Sequence, residues 1–290
     1  MPTAQSLAID LERLGVPRGA VLVVHSGLRE LGLVEGGPPT VLSAIRSVLG
    51  EQGTVLAPTF TTQLIDPATW PEPPPPEERA RIMAAMPLFD PAHSPPHKMG
   101  AIAATLWRTP GALRSHHPVT SWTALGPAAE TLTRDHPLDD PEGIDGPTGR
   151  AYRADALVLL LGVGHDANTT IHLGESLLDM PHLHALPDRY PVALPDGSRQ
   201  WREVRKTTKC SDGFVRIEPQ LEAAGAIRRG KVGEAEAQLL RSRDIVRVAV
   251  GLLAHEPTAL LCDDPDCVHC PTSRGILRDW RPATTPERLE

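Results

Sequence analysis

Three short aliphatic runs constrain the fold of this chain more than any other feature of its sequence. They are residues 20–25 (AVLVVH), 54–59 (TVLAPT) and 155–163 (DALVLLLGV). Each run has the length of a strand, and its continuous apolar character is typical of a strand that is buried on both faces. Because only 3% of the 290 residues are aromatic, aliphatic side chains must fill the interior.

Helical patterns alternate with these runs. They cover residues 6–14, 38–49, 100–108 and 169–178, and a further helix is predicted within 121–135. Such strand–helix–strand units form parallel sheets with right-handed crossovers. The sequence therefore predicts an α/β fold with a mostly parallel central sheet flanked by helices.

The sequence after Met180 has a different character. Residues 188–214 are polar, with short antiparallel strands predicted around Asp196, and residues 232–255 predict two helices, the second capped by Ser242. We therefore divide the chain into an α/β core (1–180) and a C-terminal portion (181–290) that packs with it as one compact unit. The proline-rich stretch 66–76 predicts a loop or a lid, and the tail beyond Pro282 predicts a frayed end.

The charge and hydropathy of the chain narrow the class of function. A net charge of −7 argues against nucleic-acid binding, which needs a basic surface, and it suits a cationic partner. The same acidity is common in cytosolic proteins that need only to stay soluble. No apolar run approaches the roughly 20 residues that span a bilayer, and no secretion signal is evident, so we expect a cytoplasmic protein without a membrane partner.

His172 and Glu175 are the first candidates for chemistry. They lie at positions i and i+3 of a predicted helix that follows a buried strand, so both side chains can face one crevice. A histidine beside a carboxylate suits a general base. Two other interpretations remain open: a histidine that is simply hydrogen-bonded at a helix start, or a carboxylate–histidine metal pair.

Two polar segments are candidates for binding an anionic cofactor. Residues 25–29 (HSGLR) follow the first strand, where free amides can hold a phosphate, and residues 114–121 contain Arg114 and several hydroxyl and imidazole groups. An ordinary strand–loop with a glycine turn is the favoured explanation of the first segment, and a polar turn fixed by Pro118 explains the second equally well. Neither a G-x-G-x-x-G sequence nor a P-loop is present, so the usual fingerprints of nucleotide binding are missing.

The cysteines form a third candidate site. Cys267 and Cys270 make a C-x-x-C pair, which is at most half of a tetrahedral zinc site. Cys262, Cys210 or a histidine could complete it, or the cluster could bind nothing. A redox role is disfavoured because the pair does not lie at a strand–helix junction.

Several ordered segments resemble the aminoglycoside 3-N-acetyltransferase family, whose fold differs from that of the common GNAT acetyltransferases. They run from about Val21 to Val246, and the segments GVGHDANTT and LLRSRDIV are similar to the branch that acetylates apramycin and gentamicin-type drugs. In order, the matching segments are VLVVHSGLRELG, GTVLAPT, FDPAHSP, MGAIAATLWRTPGALRSHHPVTSWTALGP, LLLGVGHDANTTIHLGE and LLRSRDIV.

The resemblance implies a function and a set of residues. The chain would transfer acetyl from acetyl-CoA to an amine of a cationic 2-deoxystreptamine aminoglycoside, as a monomer or homodimer, with His172 as general base and Glu175 beside it. The implied acetyl-CoA residues of the core are His25, Ser26, Gly27, Leu28, Arg29, Ser115, His117 and Ser121. The implied substrate residues are Asp66, Asp90, Asp166, Asn168 and Glu203. A structural zinc would involve Cys210, Cys267 and Cys270, with the fourth ligand unassigned.

Three departures from the family pattern are evident. Gly27 replaces a usual serine, Gly174 replaces a usual alanine and leaves room for a ligand, and Glu203 is the only carboxylate in residues 200–206. The last departure bears on the substrate more than on the reaction. Two alternatives therefore stand beside the main hypothesis: an N-acetyltransferase for another amine, such as a nucleoside or a biosynthetic intermediate, or a non-catalytic binder of CoA or of a cationic ligand.

Overall fold

The computed structural model describes residues 1–70, 72–207 and 209–282. The helices in chain order are Ala4–Leu14 (α1), Pro38–Leu49 (α2), Pro76–Ala85 (α3), Gly100–Arg108 (α4), Ala129–Thr133 (α5), Pro147–Arg153 (α6), Ile171–Leu177 (α7), Pro181–Ala185 (α8), Glu218–Ala223 (α9), Ser242–His255 (α10) and Cys270–Leu277 (α11). The strands are Val21–Ser26 (β1), Thr54–Pro58 (β2), Leu113–Arg114 (β3), Trp122–Leu125 (β4), Leu157–Leu161 (β5), Asp188–Ala193 (β6), Arg199–Val204 (β7), Arg228–Val232 (β8) and Ala235–Arg241 (β9). Short 3-10 helices cover Leu28–Leu31, Thr62–Leu64, Pro67–Thr69, His165–Ala167 and Asp212–Ile217.

Seven strands form the central sheet in the order β3-β4-β2-β1-β5-β9-β8. Strand β1 pairs in parallel with both β2 and β5, and these three strands are the aliphatic runs identified in the sequence. Antiparallel strands extend the sheet on both sides, β4 next to β2 and β9 next to β5. The predicted α/β class is confirmed, and the parallel part of the sheet is its buried centre.

Each central strand contributes side chains to the two larger hydrophobic cores of the described residues. In β5, Val158 and Leu160 pack into a core with α7 and α10, whereas Leu159 and Leu161 pack into a second core with α1 and α2. Successive strand side chains point to opposite faces, so a sheet covered by helices on both faces needs apolar residues at every position. This explains why the run carries no alternation of polar and apolar residues.

The prediction of two helices in residues 232–255 is wrong for the first of them. Residues 235–241 form β9, which pairs with β5 and β8, and only Ser242–His255 is helical. In β9, buried residues largely alternate with more exposed ones, which is the pattern of a strand. Pairing with β5 outweighs the helix propensity of the Ala, Glu and Leu residues in this segment. Ser242 is the first residue of α10 and does not cap it through its side chain.

The remaining C-terminal elements agree with their prediction more closely. Strands β6 and β7 form a separate two-stranded antiparallel sheet whose turn contains Gly197 at φ +79°. The division of the chain at residue 180 stays a prediction. The stretch 66–76 contains one 3-10 helix, and Pro71 within it and the predicted frayed tail at 283–290 lie outside the described residues. No helix in the described part of the chain is long and apolar enough to cross a membrane.

Candidate active site

A cavity of about 560 Å³ opens where the carboxyl ends of β1, β2 and β5 meet. This is the edge at which ligands of open α/β sheets usually bind. Both segments that the sequence singled out, the end of β1 and the start of α7, contribute to it. Its lining residues are Val24, His25, Ser26, Pro58, Phe60, Thr62, Ile65, Lys98, Met99, Gly100, His117, Val119, Thr120, Val163, Asp166, Ala167, Thr169, His172, Asp188, Tyr190, Thr207, Lys209, Cys210, Ser211 and His269.

His172 borders this cavity from the first turn of α7. Its Nδ1 lies 2.5 Å from Oε2 of Glu175, one helical turn along, and both side chains are buried. The ring also contacts the edge of Phe214, with ring centres 4.7 Å apart. A carboxylate can only accept a hydrogen bond, so Nδ1 carries the proton and donates it. Nε2 is therefore the nitrogen of His172 that can accept a proton.

A second imidazole contacts the same carboxylate. Nε2 of His182, at the start of α8, lies 3.5 Å from Oε1 of Glu175, and His182 is almost fully buried. Burial alone would raise the pKa of Glu175, but the charge of His172 and the hydrogen bonds from the two rings lower it to about 2. Glu175 is consequently an anion at neutral pH, held between two rings.

A second buried carboxyl group, Glu142, is bound to the aromatic part of the cavity wall. The indole Nε1 of Trp122 donates to Glu142 at 3.1 Å, and the Thr148 hydroxyl also donates to it. The Trp122 ring makes edge contacts with His25 and Phe60, which line the cavity. Burial raises the pKa of Glu142 to about 7 despite both hydrogen bonds.

Two of the cavity histidines are held in their neutral form. Burial, with a smaller contribution from the charge of His165, lowers the pKa of His25 to about 3. Burial lowers the pKa of His117 to about 4. Nδ1 of His117 accepts from the Thr120 amide at 2.8 Å, so its proton is on Nε2, which lies 3.1 Å from the hydroxyl of Tyr190. Neither ring adds charge to the cavity at neutral pH.

Only part of the predicted acetyl-CoA set borders the cavity: His25, Ser26 and His117. Gly27, Leu28 and Arg29 are not among its lining residues, and the latter two lie in a 3-10 helix. Ser115 is fully buried and accepts a hydrogen bond from the Trp122 amide, and Ser121 donates to the carbonyl of Thr59 and accepts from Arg114. In this structure the two serines hold the wall behind the cavity.

The two unusual glycines both allow close packing. A Cβ on Gly27 would lie 2.8 Å from the backbone oxygen of Gly162, at the point where β1 and β5 end. A Cβ on Gly174 would lie 2.9 Å from the Cβ of Ala249 in α10. The expectation that Gly174 leaves room for a ligand is therefore wrong, because α10 fills that space.

The predicted substrate residues are spread over the molecule. Asp166 lines the cavity, whereas buried Asn168 contacts His165. The three remaining carboxylates lie outside the lining and have partners of their own. Asp66 is paired with Arg189 at 3.1 Å, Asp90 with His93 at 2.8 Å and Glu203 with Arg205 at 3.3 Å.

Ionisable residues that the sequence did not single out contribute more to the lining. Asp188, the first residue of β6, and Lys209 face the cavity together as an ion pair of 3.2 Å. Lys98 lines it just before α4, and His269 lines it from the segment before α11. Only the position of Asp188 at the start of a strand could have hinted at a role, and the other three have no local signal.

The four cysteines come together next to the same wall. The sulfur atoms of Cys210, Cys262, Cys267 and Cys270 all lie within 4.8 Å of one another, and none is in a disulfide. The Cys210 and Cys262 sulfurs are 3.7 Å apart. Backbone amides lie 3.4 Å from the sulfurs of Cys210 and Cys267. Cys210 also lines the cavity, so the cluster and the cavity share a wall.

Comparison with known proteins identifies the relatives of this chain. Residues 23–254 match the sequence model of a family described as aminoglycoside 3-N-acetyltransferase. Aminoglycoside N(3)-acetyltransferase VII of Streptomyces paromomycinus is 37% identical, over 86% of this chain and 90% of that protein. Aminoglycoside N(3)-acetyltransferase IV of a Salmonella species is 35% identical, over 87% of each.

Solved structures show the same fold. YokD of Bacillus subtilis superposes with a TM-score of 0.83 at 31% identity, covering 88% of this chain and 94% of that chain. A mutant of aminoglycoside acetyltransferase AAC(3)-IVa in complex with a gentamicin gives 0.81 at 33% identity, covering 94% and 96%. The complex of AAC-IIIb with CoASH gives 0.76 at 34% identity, covering 88% and 97%.

Proposed function

The chain belongs to the aminoglycoside 3-N-acetyltransferase family and is an acyltransferase, and we propose that it transfers the acetyl group of acetyl-CoA to an amine of a 2-deoxystreptamine aminoglycoside. One observation on this chain itself supports the proposal, in addition to its family membership. The cavity contains an imidazole, His172, whose Nδ1 is held by a buried carboxylate and whose Nε2 can accept a proton. An amine that attacks a thioester needs such a group, because a protonated amine has no free electron pair.

The proposed reaction is a direct transfer within a ternary complex. Nε2 of His172 takes a proton from the substrate ammonium, and the freed amine attacks the thioester carbonyl. The new C–N bond forms while the C–S bond breaks, and the proton on His172 passes to the departing thiolate. The nitrogen loses a second proton to water as it becomes the neutral amide. Glu175 acts through its hydrogen bond, which holds the ring in the correct tautomer and stabilises the imidazolium that forms.

Acetyl-CoA as the acetyl donor is supported by the relative that was solved with CoASH. Within this chain, we propose that His25, Ser26 and His117 contact the donor, since these members of the predicted set border the cavity. The roles of Gly27, Leu28, Arg29, Ser115 and Ser121 stay predictions.

An aminoglycoside as the acceptor is supported by the relative that was solved with a gentamicin. Asp166 and Asp188 are the aspartates of the described residues that line the cavity, and we propose that they face the cationic substrate. Direct roles for Asp66, Asp90, Asn168 and Glu203 stay predictions. The monomeric or homodimeric state and the cytoplasmic location are likewise proposals.

One observation favours a second class of acceptor. Lys98 and Lys209 balance the two aspartates, so the cavity is less acidic than a site for a polyamine is expected to be. N-acetylation of a smaller amine with one or two charges is therefore the second candidate function.

A turnover panel separates the two candidates. Release of CoA thiol would be followed with apramycin, gentamicin, neomycin and a monoamine nucleoside, and the acetylated nitrogen would be mapped by NMR. We expect turnover with at least one aminoglycoside and acetylation at the 3-amino group of its deoxystreptamine ring. Turnover of the nucleoside alone would favour the second candidate, and binding without release of thiol would indicate a non-catalytic binder.

We also propose that the four cysteines bind a structural zinc ion, with Cys262 as the fourth ligand. Thiolates about 2.3 Å from zinc in a tetrahedron lie about 3.8 Å apart, close to the 3.7 Å between the Cys210 and Cys262 sulfurs. Four thiolates leave no open position on the ion, so its contribution would be to hold three chain segments together. Metal analysis of the purified protein is expected to give one zinc per chain.

A further inference from the structure

Asp188 is buried in the wall of the cavity and already has a cationic partner. Nζ of Lys209 donates to its Oδ2 at 3.2 Å and to the hydroxyl of Thr207 at 2.6 Å. The Lys209 side chain is only 5% exposed and that of Asp188 13%. The ammonium group is therefore fixed by two oxygens in the cavity wall, whereas lysines on protein surfaces usually extend into water.

This pair changes what the cavity presents to a polycation. Of the two lining aspartates, exposed Asp166 forms no ion pair with the basic side chains of the described residues, whereas Asp188 is neutralised by Lys209. A substrate ammonium that reaches Asp188 must either displace Lys209 or lie beside another positive charge. Either alternative costs free energy that a neutral hydroxyl group at the same place would not incur.

We propose that Lys209 is a specificity-determining residue, whose ammonium takes the place on Asp188 that a substrate ammonium would otherwise occupy. The inference rests on the proposed function and narrows its substrate class. The site would prefer aminoglycosides that place a hydroxyl near Asp188 over analogues that place an amine there. The selectivity of the site would come from repulsion between the Lys209 ammonium and the substrate amine.

Matched pairs of aminoglycosides test this role. Neomycin and paromomycin differ by one amine-for-hydroxyl exchange, and kanamycin B and kanamycin A form a similar pair. Lys209→Gln keeps a hydrogen-bond donor near Asp188 but removes the charge, and Lys209→Met removes both. We expect Lys209→Gln to lower both KM and calorimetric Kd for the amine member of at least one pair about tenfold, with little change for its hydroxyl partner.

Asp188→Asn in combination with Lys209→Gln completes the test. The double variant is expected to lose the tenfold gain, because no carboxylate remains to attract the substrate ammonium. Zinc content and melting temperature, measured on every variant, show that the neighbouring cysteine cluster is intact. The Lys209→Met variant is compared in the same way if Lys209→Gln does not fold.

Each contrary outcome has a separate meaning. Unchanged Kd ratios for every pair in the Lys209 variants would overturn the role of Lys209. A higher KM for acetyl-CoA with unchanged aminoglycoside Kd would also overturn it, because Lys209 would then serve the phosphates of the donor. Wild-type protein that binds aminoglycosides but turns none over would contradict the proposed function, while the Kd ratios would still decide the role of Lys209.

Discussion

Glu175 and Asp188 are both buried carboxylates beside the same cavity, but their partners are of different kinds. Glu175 contacts the imidazoles of His172 and His182, and an imidazole can act as a proton donor or a proton acceptor. Asp188 contacts the ammonium of Lys209, whose positive charge it stabilises. We therefore infer that one carboxylate serves reactivity and the other serves recognition.

The two regions also differ in what supports them. Glu175 lies in α7, whose residues Ile171 and Leu173 are part of the main core beside the sheet. Asp188 and Lys209 lie in the two-stranded sheet and the segment after it, next to the cysteine cluster. Damage to the first region should therefore lower the rate of chemistry, and damage to the second should change binding.

The largest expected effect is on the reactive side. His172→Ala should lower kcat/KM at least ~100-fold, the lower end expected when a general base is lost. Steady-state kinetics with an aminoglycoside that the wild type acetylates provide the measurement, and KM for acetyl-CoA should change little. Wild-type turnover in this variant would remove His172 from the mechanism.

Exchange of each carboxylate for its amide tests the comparison directly. Glu175→Gln should lower kcat about 10- to 100-fold, since a neutral partner no longer stabilises the imidazolium, whereas Asp188→Asn should act mainly on KM for the aminoglycoside. Both variants keep the side-chain shape, so circular dichroism should match the wild type. The comparison fails if both exchanges change kcat by the same factor.

Disruption of the cysteine cluster should lower turnover less, and only by weakening the binding of the aminoglycoside. Cys210→Ser, or removal of metal by a chelator, should abolish zinc binding and lower Tm by roughly 5 °C or more. KM for the aminoglycoside should rise several-fold because Cys210 directly follows Lys209 and lines the cavity. Ser211→Ala is the matched control, and it should keep its zinc. Full zinc content in Cys210→Ser would contradict the assignment of this ligand.

Glu142 should show the smallest effect on turnover and a clear effect on stability. Burial raises its pKa from 4.5 to about 7, so its contribution to stability is complete below about pH 4.5 and is lost as pH rises through about 7. The full loss is on the order of 3 kcal/mol. Glu142→Gln keeps the acceptor for Trp122 and should flatten this dependence in urea titrations between pH 5 and 8. An unchanged pH dependence in the variant would show that Glu142 is ionised in the folded protein.

The sequence predicts much of the centre of this molecule. The bounds of α2 and α4 agree with the prediction, and the three aliphatic runs form the parallel centre of the sheet. The spacing of His172 and Glu175 predicts a shared helix face, and the two side chains lie in contact at 2.5 Å. These features depend on residues only a few positions apart, so the sequence pattern contains the information.

Predictions that depended on distant partners were weaker. Residues 235–241 have the composition of a helix but the burial pattern of a strand, and pairing with β5 decides in favour of the strand. The sequence did not reveal that Asp66 pairs with Arg189, 123 positions later in the chain, and its contact with the substrate stays a prediction. Nor did the sequence reveal that Ser115, next to the β3–β4 pair, is fully buried, and its contact with the cofactor stays a prediction.

Local sequence is enough to predict the sheet with its apolar strands and the imidazole–carboxylate pair of α7, because periodicity and helical spacing are local properties. Tertiary packing was needed to show that His182 shares Glu175, that Lys209 neutralises Asp188 and that Cys262 joins the other three cysteines. Lys209 lies 21 positions from Asp188 and Cys262 lies 52 positions from Cys210, and His182 reaches Glu175 only because the chain turns between α7 and α8. These three contacts form only once the strands have paired and the helices have packed. Long-range contacts are determined by the burial of whole helices and strands, and not by the neighbouring residues in the chain.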